Sequence, residues 1–204
     1  MDILLFGATG RAGSRFLERA LADEHRVTAF VRDSSGLPTG VSTIEGDVTD
    51  PEAVAATVPG HDAVVSAVGP ADSDDTAVLT EGVANIVDAM ETTGVDRLVA
   101  VGAAGILQAT PQHLRLDTPE FPIRFRDVAA AHRSAYGTIR ASGLNWTLVC
   151  PPVMPDGGPT NYYRTTTAYL PDGGQSVSSG DVAACVYDVL AEDSHHGERV
   201  GIAY

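Results

Sequence analysis

The stretch Gly7-Ala8-Thr9-Gly10-Arg11-Ala12-Gly13 decides the fold of this chain. It follows Asp2–Gly7, a short apolar run typical of a buried parallel strand, and it opens Arg11–Ala22, where apolar residues recur at helical spacing. A glycine-rich turn between a strand and a helix exposes backbone N–H groups at the helix N-terminus, where a dinucleotide pyrophosphate binds. The GxxGxxG pattern alone is weak, but in this position it predicts a dinucleotide-binding unit rather than a turn that merely needs glycines.

Beyond this turn, segments with strand and helix patterns alternate along the chain. The further predicted strands are Arg26–Val31, Ser42–Glu45, His61–Val68, Asp96–Val101, Asn145–Cys150 and Glu198–Ile202. The further predicted helices are Pro51–Val58, Thr76–Thr93, Ala129–Ala141 and Gly180–Leu190. This alternation predicts an α/β fold: a Rossmann-like, doubly wound parallel sheet with helices on both faces, formed by residues 1–204 as a single domain.

Two stretches, 105–127 and 151–179, interrupt the alternation and are too long for plain connections. Each follows a predicted strand, and open α/β sheets bind ligands at the carboxyl ends of their strands. We therefore expect both stretches to form loops that cover a substrate.

The charge of the chain excludes some classes of partner. Its 204 residues include 27 acidic and 13 basic residues, a net charge of −14, and every basic residue is Arg. Such an acidic domain repels nucleic acids and anionic membranes. The acids are scattered, as in Asp72, Asp74, Asp75, Glu81, Asp88, Glu91 and Asp96. A basic partner is one explanation, but the absence of Lys favours adaptation to concentrated salt and resembles proteins of halophilic archaea.

Other features favour a cytoplasmic protein without metal. No run of about 18 apolar residues predicts a membrane span, and Met1 leads directly into a strand-like segment without a basic leader. Cys150 and Cys185 do not form a CxxC pair, and we expect both to be small buried hydrophobic residues. The His195-His196 pair has no evident third ligand, so no metal site is expected.

The end of the second strand indicates which dinucleotide is bound. Arg32 can hold a 2′-phosphate with its planar guanidinium, helped by Arg11, and Ser34 and Ser35 can add hydroxyl donors. This favours NADP(H) over NAD(H). In the alternative, Arg32 is a solvated surface residue and Asp33 selects NAD.

Further cofactor-binding candidates follow the other predicted strands. Asp47 can accept a hydrogen bond from the adenine amino group with Val48 beside the ring, although Asp47 can instead be a turn or helix-capping acid. The remaining candidates at strand ends are Ala67, Val68, Gly69, Gly102, Ala103, Pro151, Pro152 and Val153.

Several of these motifs together resemble a known family. The Gly7–Gly13 loop, Val31-Arg32-Asp33, Gly46-Asp47-Val48 and 142–146 (SGLNW) resemble the atypical short-chain dehydrogenases of the NmrA-like group. Stretches similar to the biliverdin-IXβ reductase (flavin reductase) branch are 32–38 (RDSSGLP), 80–82 (TEG), 85–90 (NIVDAM), 94–96 (GVD) and 151–153 (PPV). The resemblance spans nearly the whole chain and weakens across 105–127.

The resemblance implies an NADPH-dependent reductase of flavins or open tetrapyrroles, or an NADP-binding redox sensor that does not turn over. The chain departs from the usual Tyr-x-x-x-Lys pair, because it has no Lys and these positions fall on Val128 and His132. Tyr136 and Arg140 have the spacing with Arg for Lys, but one helical turn late. Gly102-Ala103-Ala104 also removes the Ser or Thr that often follows the fifth strand.

These departures disfavour carbonyl–alcohol interconversion and sugar-nucleotide epimerisation, which need a fixed proton donor. A flavin or similar flat acceptor needs little beyond orientation of the nicotinamide. His132 is the candidate proton donor, with an ordinary helix histidine as the alternative, and the resemblance implies that Tyr136 lines the nicotinamide site. Tyr162 or Tyr163 can stack on the acceptor or simply pack within its loop. A monomer is favoured for a small protein of this kind.

Overall fold

A computed structural model describes residues 1–70 and 76–204, so Asp72, Asp74 and Asp75 lie outside the described residues. The strands are β1 (Asp2–Phe6), β2 (Arg26–Val31), β3 (Ser42–Glu45), β4 (Ala63–Ser66), β5 (Arg97–Val101), β6 (Gln108–Thr110), β7 (His113–Leu114), β8 (Asn145–Cys150), β9 (Arg164–Thr167) and β10 (Glu198–Ala203). The α-helices are α1 (Arg11–Ala22), α2 (Pro51–Thr57), α3 (Ala77–Thr93), α4 (Arg126–Ala141) and α5 (Ser179–Ala191). Short 3₁₀ turns are formed by Ala104–Ile106, Arg115–Asp117 and Ile123–Phe125.

Eight strands form one sheet in the order β3-β2-β1-β4-β5-β8-β10-β9. The first seven run parallel, which confirms the predicted doubly wound α/β fold. The chain reverses its direction of travel across the sheet between β1 and β4, and ligands of open α/β sheets bind at such a switch point. The glycine-rich turn therefore lies where the topology alone would place a ligand.

One edge strand departs from the prediction. β9 pairs antiparallel with β10, although its residues were expected to belong to a loop. All four side chains of β9, Arg164 to Thr167, are exposed, so the segment carries no apolar signal that predicts a strand. Its pairing depends on backbone hydrogen bonds to a strand more than 30 residues later in the chain.

Helices cover both faces of the sheet, as expected. Ile3 and Leu5 of β1 pack into the core beneath α1 and α5. Leu4 and Phe6, which alternate with them, pack into the core beneath α2, α3 and α4. Because strand side chains alternate between faces, a strand buried on both sides must be apolar throughout, which explains the continuous apolar run of β1.

Local signals set several element boundaries. Asp50 accepts hydrogen bonds from the backbone N–H groups of Glu52 and Ala53, and Pro51 occupies the first turn of α2 as predicted. Helix α4 begins at Arg126, three residues before the expected Ala129, because the 3₁₀ turn Ile123–Phe125 leads directly into it. Within the stretch 105–127, β6 and β7 form a small antiparallel hairpin.

Cys150 and Cys185 are both buried free thiols, as expected. Burial raises the pKa of each thiol to about 12, so both remain protonated at neutral pH. Both therefore act as core residues.

Candidate active site

The glycine-rich turn is built from close backbone packing. Gly7 has a φ of +79°, and a Cβ there would lie 2.5 Å from the carbonyl oxygen of Ala67. A Cβ at Gly13 would overlap the carbonyl oxygen of Gly7, so α1 can approach β1 this closely only with glycine at that position. The N-cap residue of α1, Gly10, offers no side-chain cap. The first-turn N–H groups of α1 are therefore not capped by a side chain and are available to a phosphate.

A cleft of about 1300 Å³ opens beside this turn, along the carboxyl ends of the central strands. Most residues expected to bind the cofactor line it: Gly7, Thr9, Gly10, Arg11, Ala12, Arg32, Asp47, Val48, Ala67, Val68, Gly69, Gly102, Ala103, Pro151, Pro152 and Val153. His132 lines the same cleft. The fold thus brings residues from the ends of six strands and from helices α1 and α4 to a single surface.

Three of the expected cofactor residues do not line the cleft. Ala8 is fully buried, and Gly13 packs against Gly7. Ser35 is exposed, and its backbone N–H donates to Asp33 Oδ1 at 2.9 Å. Ala8 and Gly13 shape the turn from behind, whereas Ser35 lies outside the cleft wall.

At the end of β2, Arg32 is exposed, lines the cleft, and forms no ion pair with a carboxylate of residues 1–70 or 76–204. The neighbouring acids have local partners. The backbone N–H of Ser35 lowers the pKa of Asp33, and Ser34 Oγ donates to Glu45 Oε1 at 2.6 Å. Arg32 is thus an arginine without an ion pair at this end of the cleft, although its charge contributes to lowering the pKa of Asp47.

Asp47 forms the turn that the sequence offered as one alternative, while the adenine contact stays a prediction. Its Oδ1 accepts from the backbone N–H and the hydroxyl of Thr49 at 2.9 and 2.8 Å, which lowers the pKa of Asp47. These bonds form a turn, while the residue still lines the cleft. Asn85 Nδ2 donates to the Val48 carbonyl oxygen at 3.0 Å and holds this turn against α3.

Arg11 is engaged differently from the expectation that it helps Arg32. Its Nη1 donates to the carbonyl oxygen of Met154 at 2.7 Å. Arg15, one turn later in α1, lies 3.6 Å from Asp156. Both arginines therefore tie the segment after β8 to the helix that begins at the glycine-rich turn.

The other end of the cleft is formed by both long stretches. Its walls are mostly apolar and include Gly105, Ala109, Phe121, Pro122, Phe125, Val128, Ala129, Met154 and Gly174, with Arg115, Thr118, Glu120 and Gln175 as polar members. Sequence reasoning did not single out these residues as cleft residues. It also did not single out Phe30, Val31 and Gly46 at the nucleotide end, although Val31 and Gly46 belong to motifs that it identified. Neither tyrosine proposed to stack on the acceptor is on this wall: Tyr162 is 86% exposed, and Tyr163 donates to Asp188 Oδ2 at 3.1 Å.

His132 faces the cleft from α4 and also borders a small internal cavity of about 20 Å³. Its apolar surroundings disfavour the charged imidazolium and lower the pKa of His132 to about 4. At neutral pH the imidazole is uncharged. The proton-donating role of His132 stays a prediction, and the low pKa weighs against it because a protonated ring is scarce at neutral pH.

Tyr136 lies one turn further along α4 and borders the small cavity rather than the cleft. Its ring meets Trp146 edge to face, with centroids 6.0 Å apart, and the Arg199 guanidinium lies 4.6 Å above it. The position implied by the resemblance is therefore corrected: aromatic and cation–π packing hold Tyr136 behind the cleft wall.

Within the described ranges, no group of three or more His, Cys, Asp or Glu side chains is arranged to hold a metal ion. His195 and His196 instead bond locally, to Glu198 and Asp193. No helix in these ranges has the length and apolar character needed to span a membrane.

Comparison with known proteins agrees with this geometry. A family model described as NAD(P)H-binding matches residues 7–193. The uncharacterized protein YwnB of Bacillus subtilis (strain 168) is 31% identical over 209 residues, covering 98% of this chain and 96% of its own. A solved structure of a candidate NADH-flavin reductase from Streptococcus pneumoniae TIGR4 is 29% identical, with a TM-score of 0.88 over 100% of this chain and 99% of its own.

A third protein of known structure has a similar fold. The anaerobillin reductase ChuY from Escherichia coli O157:H7 has a TM-score of 0.84 at 23% identity, covering 100% of this chain and 97% of its own. At that identity the match shows a shared architecture. The matches confirm the resemblance drawn from the glycine-rich turn and the strand-end motifs.

Proposed function

The chain belongs to the NAD(P)H-binding family, and on that premise we propose that it is a reductase that passes a hydride from NADPH to a flavin or a similar flat conjugated acceptor. The observation that carries this proposal is the continuity of the cleft. One cavity of about 1300 Å³ joins the glycine-rich turn to an apolar end walled by both long stretches. This volume exceeds the roughly 300–1,000 Å³ of ordinary ligand pockets, so a dinucleotide and an acceptor fit side by side.

The residues at the turn fit a dinucleotide. Glycines at positions 7 and 13 avoid Cβ atoms that would clash with the neighbouring backbone and open the turn, and the first-turn N–H groups of α1 have no side-chain cap. A bound reduced nicotinamide would supply a hydride, which carries two electrons and one proton. The second proton would reach the acceptor from water. Pro151 and Pro152 would border the nicotinamide, and Val128 and Ala129 would exclude water from the acceptor face.

The proposed class of acceptor depends on the proton-donating side chains that the described cleft wall lacks. Within the cleft wall, the described residues include no Lys or Tyr, and His132 is uncharged at neutral pH. A carbonyl acceptor needs a placed acid for its developing alkoxide, whereas a flavin ring spreads the incoming charge over a conjugated system. This favours an acceptor whose proton comes from solvent.

Arg32 supports a preference for NADP(H). Its guanidinium has no carboxylate partner, whereas Asp33 bonds to its own turn and does not line the cleft. A free planar fork suits a 2′-phosphate, and an acid that selected NAD would need to face the ribose.

The working environment is also part of the proposal. Of the acidic residues that the structure describes, Asp181 alone is buried. The other carboxylates form a solvated acidic surface, which suits a monomer in a salt-rich cytoplasm where counterions screen repulsion.

The test is oxidation of NADPH by the purified protein with FMN or riboflavin, in concentrated KCl, beside a protein-free reaction. We expect turnover that saturates with both NADPH and flavin and exceeds the protein-free rate. Tight binding of NADPH without turnover of any flavin would contradict the reductase. That result would instead support an NADP-binding redox sensor. The absence of the Tyr-x-x-x-Lys pair favours this alternative.

A further inference from the structure

Arg115 is a charged residue for which the cofactor has no evident use. It opens the 3₁₀ turn Arg115–Asp117, and its backbone N–H donates to the Leu107 carbonyl oxygen at 2.8 Å. The residue is half-buried and lines the apolar end of the cleft, on the wall formed by the stretch 105–127. Its neighbours on that wall include Phe121 and Ala129, so its charge stands in an apolar setting.

Among residues 1–70 and 76–204, the guanidinium of Arg115 has no hydrogen-bond or ion-pair partner. Its Nε is buried without a hydrogen bond, and it forms no ion pair with a carboxylate among the described residues. The carboxylate nearest in sequence, Asp117, instead accepts from Arg133 Nη1 at 2.9 Å. Glu120 lines the same cleft but is exposed and does not pair with Arg115. A half-buried donor fork is thus left facing a ligand-sized space.

The charges of the cleft contrast with those of the molecule. The chain has 27 acidic residues and 13 arginines, yet the cleft wall carries Arg11, Arg32 and Arg115 against Asp47 and Glu120. Arg11 lies at the glycine-rich turn and Arg32 at the end of β2. Arg115 lies on the other wall, among the residues assigned above to the acceptor. Three cations along one cleft of an anionic protein indicate ligands with negative charge at each position.

We propose that Arg115 binds an anionic group of the acceptor, a phosphate or a carboxylate, through its planar fork. The inference rests on the proposed reductase function and narrows its substrate class to flat conjugated molecules with an anionic arm. A guanidinium bonds both oxyanions in the same two-pronged geometry. FMN and a tetrapyrrole propionate share this chemistry.

FMN and riboflavin separate the two parts of this proposal, because they share one ring system and differ in the phosphate. For Arg115→Gln we expect the KM for FMN to rise about tenfold, because one charge-assisted hydrogen bond to the phosphate is lost. We expect kcat to change little. The KM for riboflavin should stay the same. Arg115→Lys, which keeps the charge but not the fork, should recover part of the FMN affinity.

Arg164→Gln is the control, since it removes the same charge from the exposed edge strand β9, none of whose residues lines the cleft. Equal losses for FMN and riboflavin would overturn the proposal by showing that Arg115 only supports the wall. Unchanged FMN kinetics in Arg115→Gln would also overturn it.

A binding measurement keeps the inference independent of turnover. Quenching of flavin fluorescence by the NADP⁺-loaded protein gives the Kd of FMN and of riboflavin for each variant. Selective weakening of FMN in Arg115→Gln without any turnover would sustain the anion site and refute the reductase. Turnover of both flavins with no dependence of FMN binding on Arg115, or no FMN binding at all, would refute the anion site.

Discussion

Gly13 lies so close to Gly7 that a Cβ on the first would overlap the carbonyl oxygen of the second. Helix α1 therefore rests directly on the backbone of the turn, and its N-terminus is held at the mouth of the cleft. For Gly13→Ala we expect a loss of about 1–3 kcal/mol in the free energy of unfolding, because the backbone must move apart, together with weaker NADPH binding. Urea denaturation and titration with NADPH measure the two effects.

Gly137→Ala is the control for this change, because a Cβ at that position of α4 meets nothing within 4 Å. It should be neutral or stabilise the protein by roughly 0.5–1 kcal/mol, the usual gain from Gly to Ala in a helix. Equal effects of the two substitutions would show that the contact between Gly13 and Gly7 is unimportant.

Arg32 should decide between the two dinucleotides. Arg32→Glu places a carboxylate where we expect the 2′-phosphate, so the Kd of NADPH should rise at least about tenfold, while that of NADH changes much less. Titrations of both cofactors at one KCl concentration measure this. Arg124→Glu changes the net charge equally and should leave the ratio of the two Kd values as it is. Equal binding of NADPH and NADH by the parent protein would remove the basis for NADP preference.

His132 should link stability to pH. The pKa of His132 is lowered to about 4 by the loss of hydration, below the ordinary histidine value of 6.5, so the unfolded chain binds this proton more readily. The stabilisation is complete above pH 6.5 and is lost as the pH falls toward 4, by a total of roughly 3 kcal/mol. His132→Gln should flatten the unfolding free energy across that window.

Exposed His113 offers the comparison for His132. His113→Gln should keep the parent's pH dependence, as measured by urea unfolding at several pH values. A parent curve that matches the His132→Gln curve between pH 4 and 6.5 would contradict the low pKa assigned to His132.

Asp181 should anchor the stretch after β8. Burial alone would raise the pKa of Asp181, but hydrogen bonds from Tyr204, Thr160 and Asn161 outweigh it and lower the pKa. The hydroxyl of Tyr204 donates at 2.7 Å, and the backbone and hydroxyl of Thr160 donate at 2.8 Å. Asp181→Asn should cost about 2–3 kcal/mol at neutral pH, because an amide replaces one acceptor oxygen with a donor.

The pH dependence has a definite sign for Asp181. Since its pKa is lower in the folded state, the carboxylate stabilises the protein above the ordinary aspartate pKa and stops doing so as pH falls through the folded value. The difference in unfolding free energy between the parent and Asp181→Asn should therefore shrink in strong acid. Exposed Asp172→Asn should leave stability unchanged, and a similar loss there would point to net charge rather than to the buried network.

The acidic surface should make stability depend on salt. With a net charge of −14 and Asp181 the one buried acid of the described residues, KCl should screen carboxylate repulsion. We expect the melting temperature to rise by several degrees between dilute and concentrated KCl. Sucrose at equal osmolarity acts by exclusion and not by screening, so it should raise the melting temperature less. Equal effects of the two solutes would argue against salt adaptation.

The sequence by itself determined the sheet and the phosphate cradle. β2, β3 and β8 have the predicted bounds, and the turn Gly7–Gly13 lies where its spacing indicated. Both results depend on local requirements: strands buried on two faces are continuously apolar, and a close helix–strand approach needs glycine. These requirements are met by neighbours in sequence, so the residues themselves display them.

Only the tertiary structure decided the rest. β9 exists because β10 offers a free edge, Tyr136 lies behind the cleft because Trp146 and Arg199 pack against it, and His132 is uncharged because its surroundings are apolar. Among the described residues Arg115 likewise has no carboxylate partner, and the nearby Asp117 accepts from Arg133. Each of these features depends on contacts between residues that are far apart along the chain. The distances and the burial that decide such contacts cannot be read from the spacing of residues in the sequence.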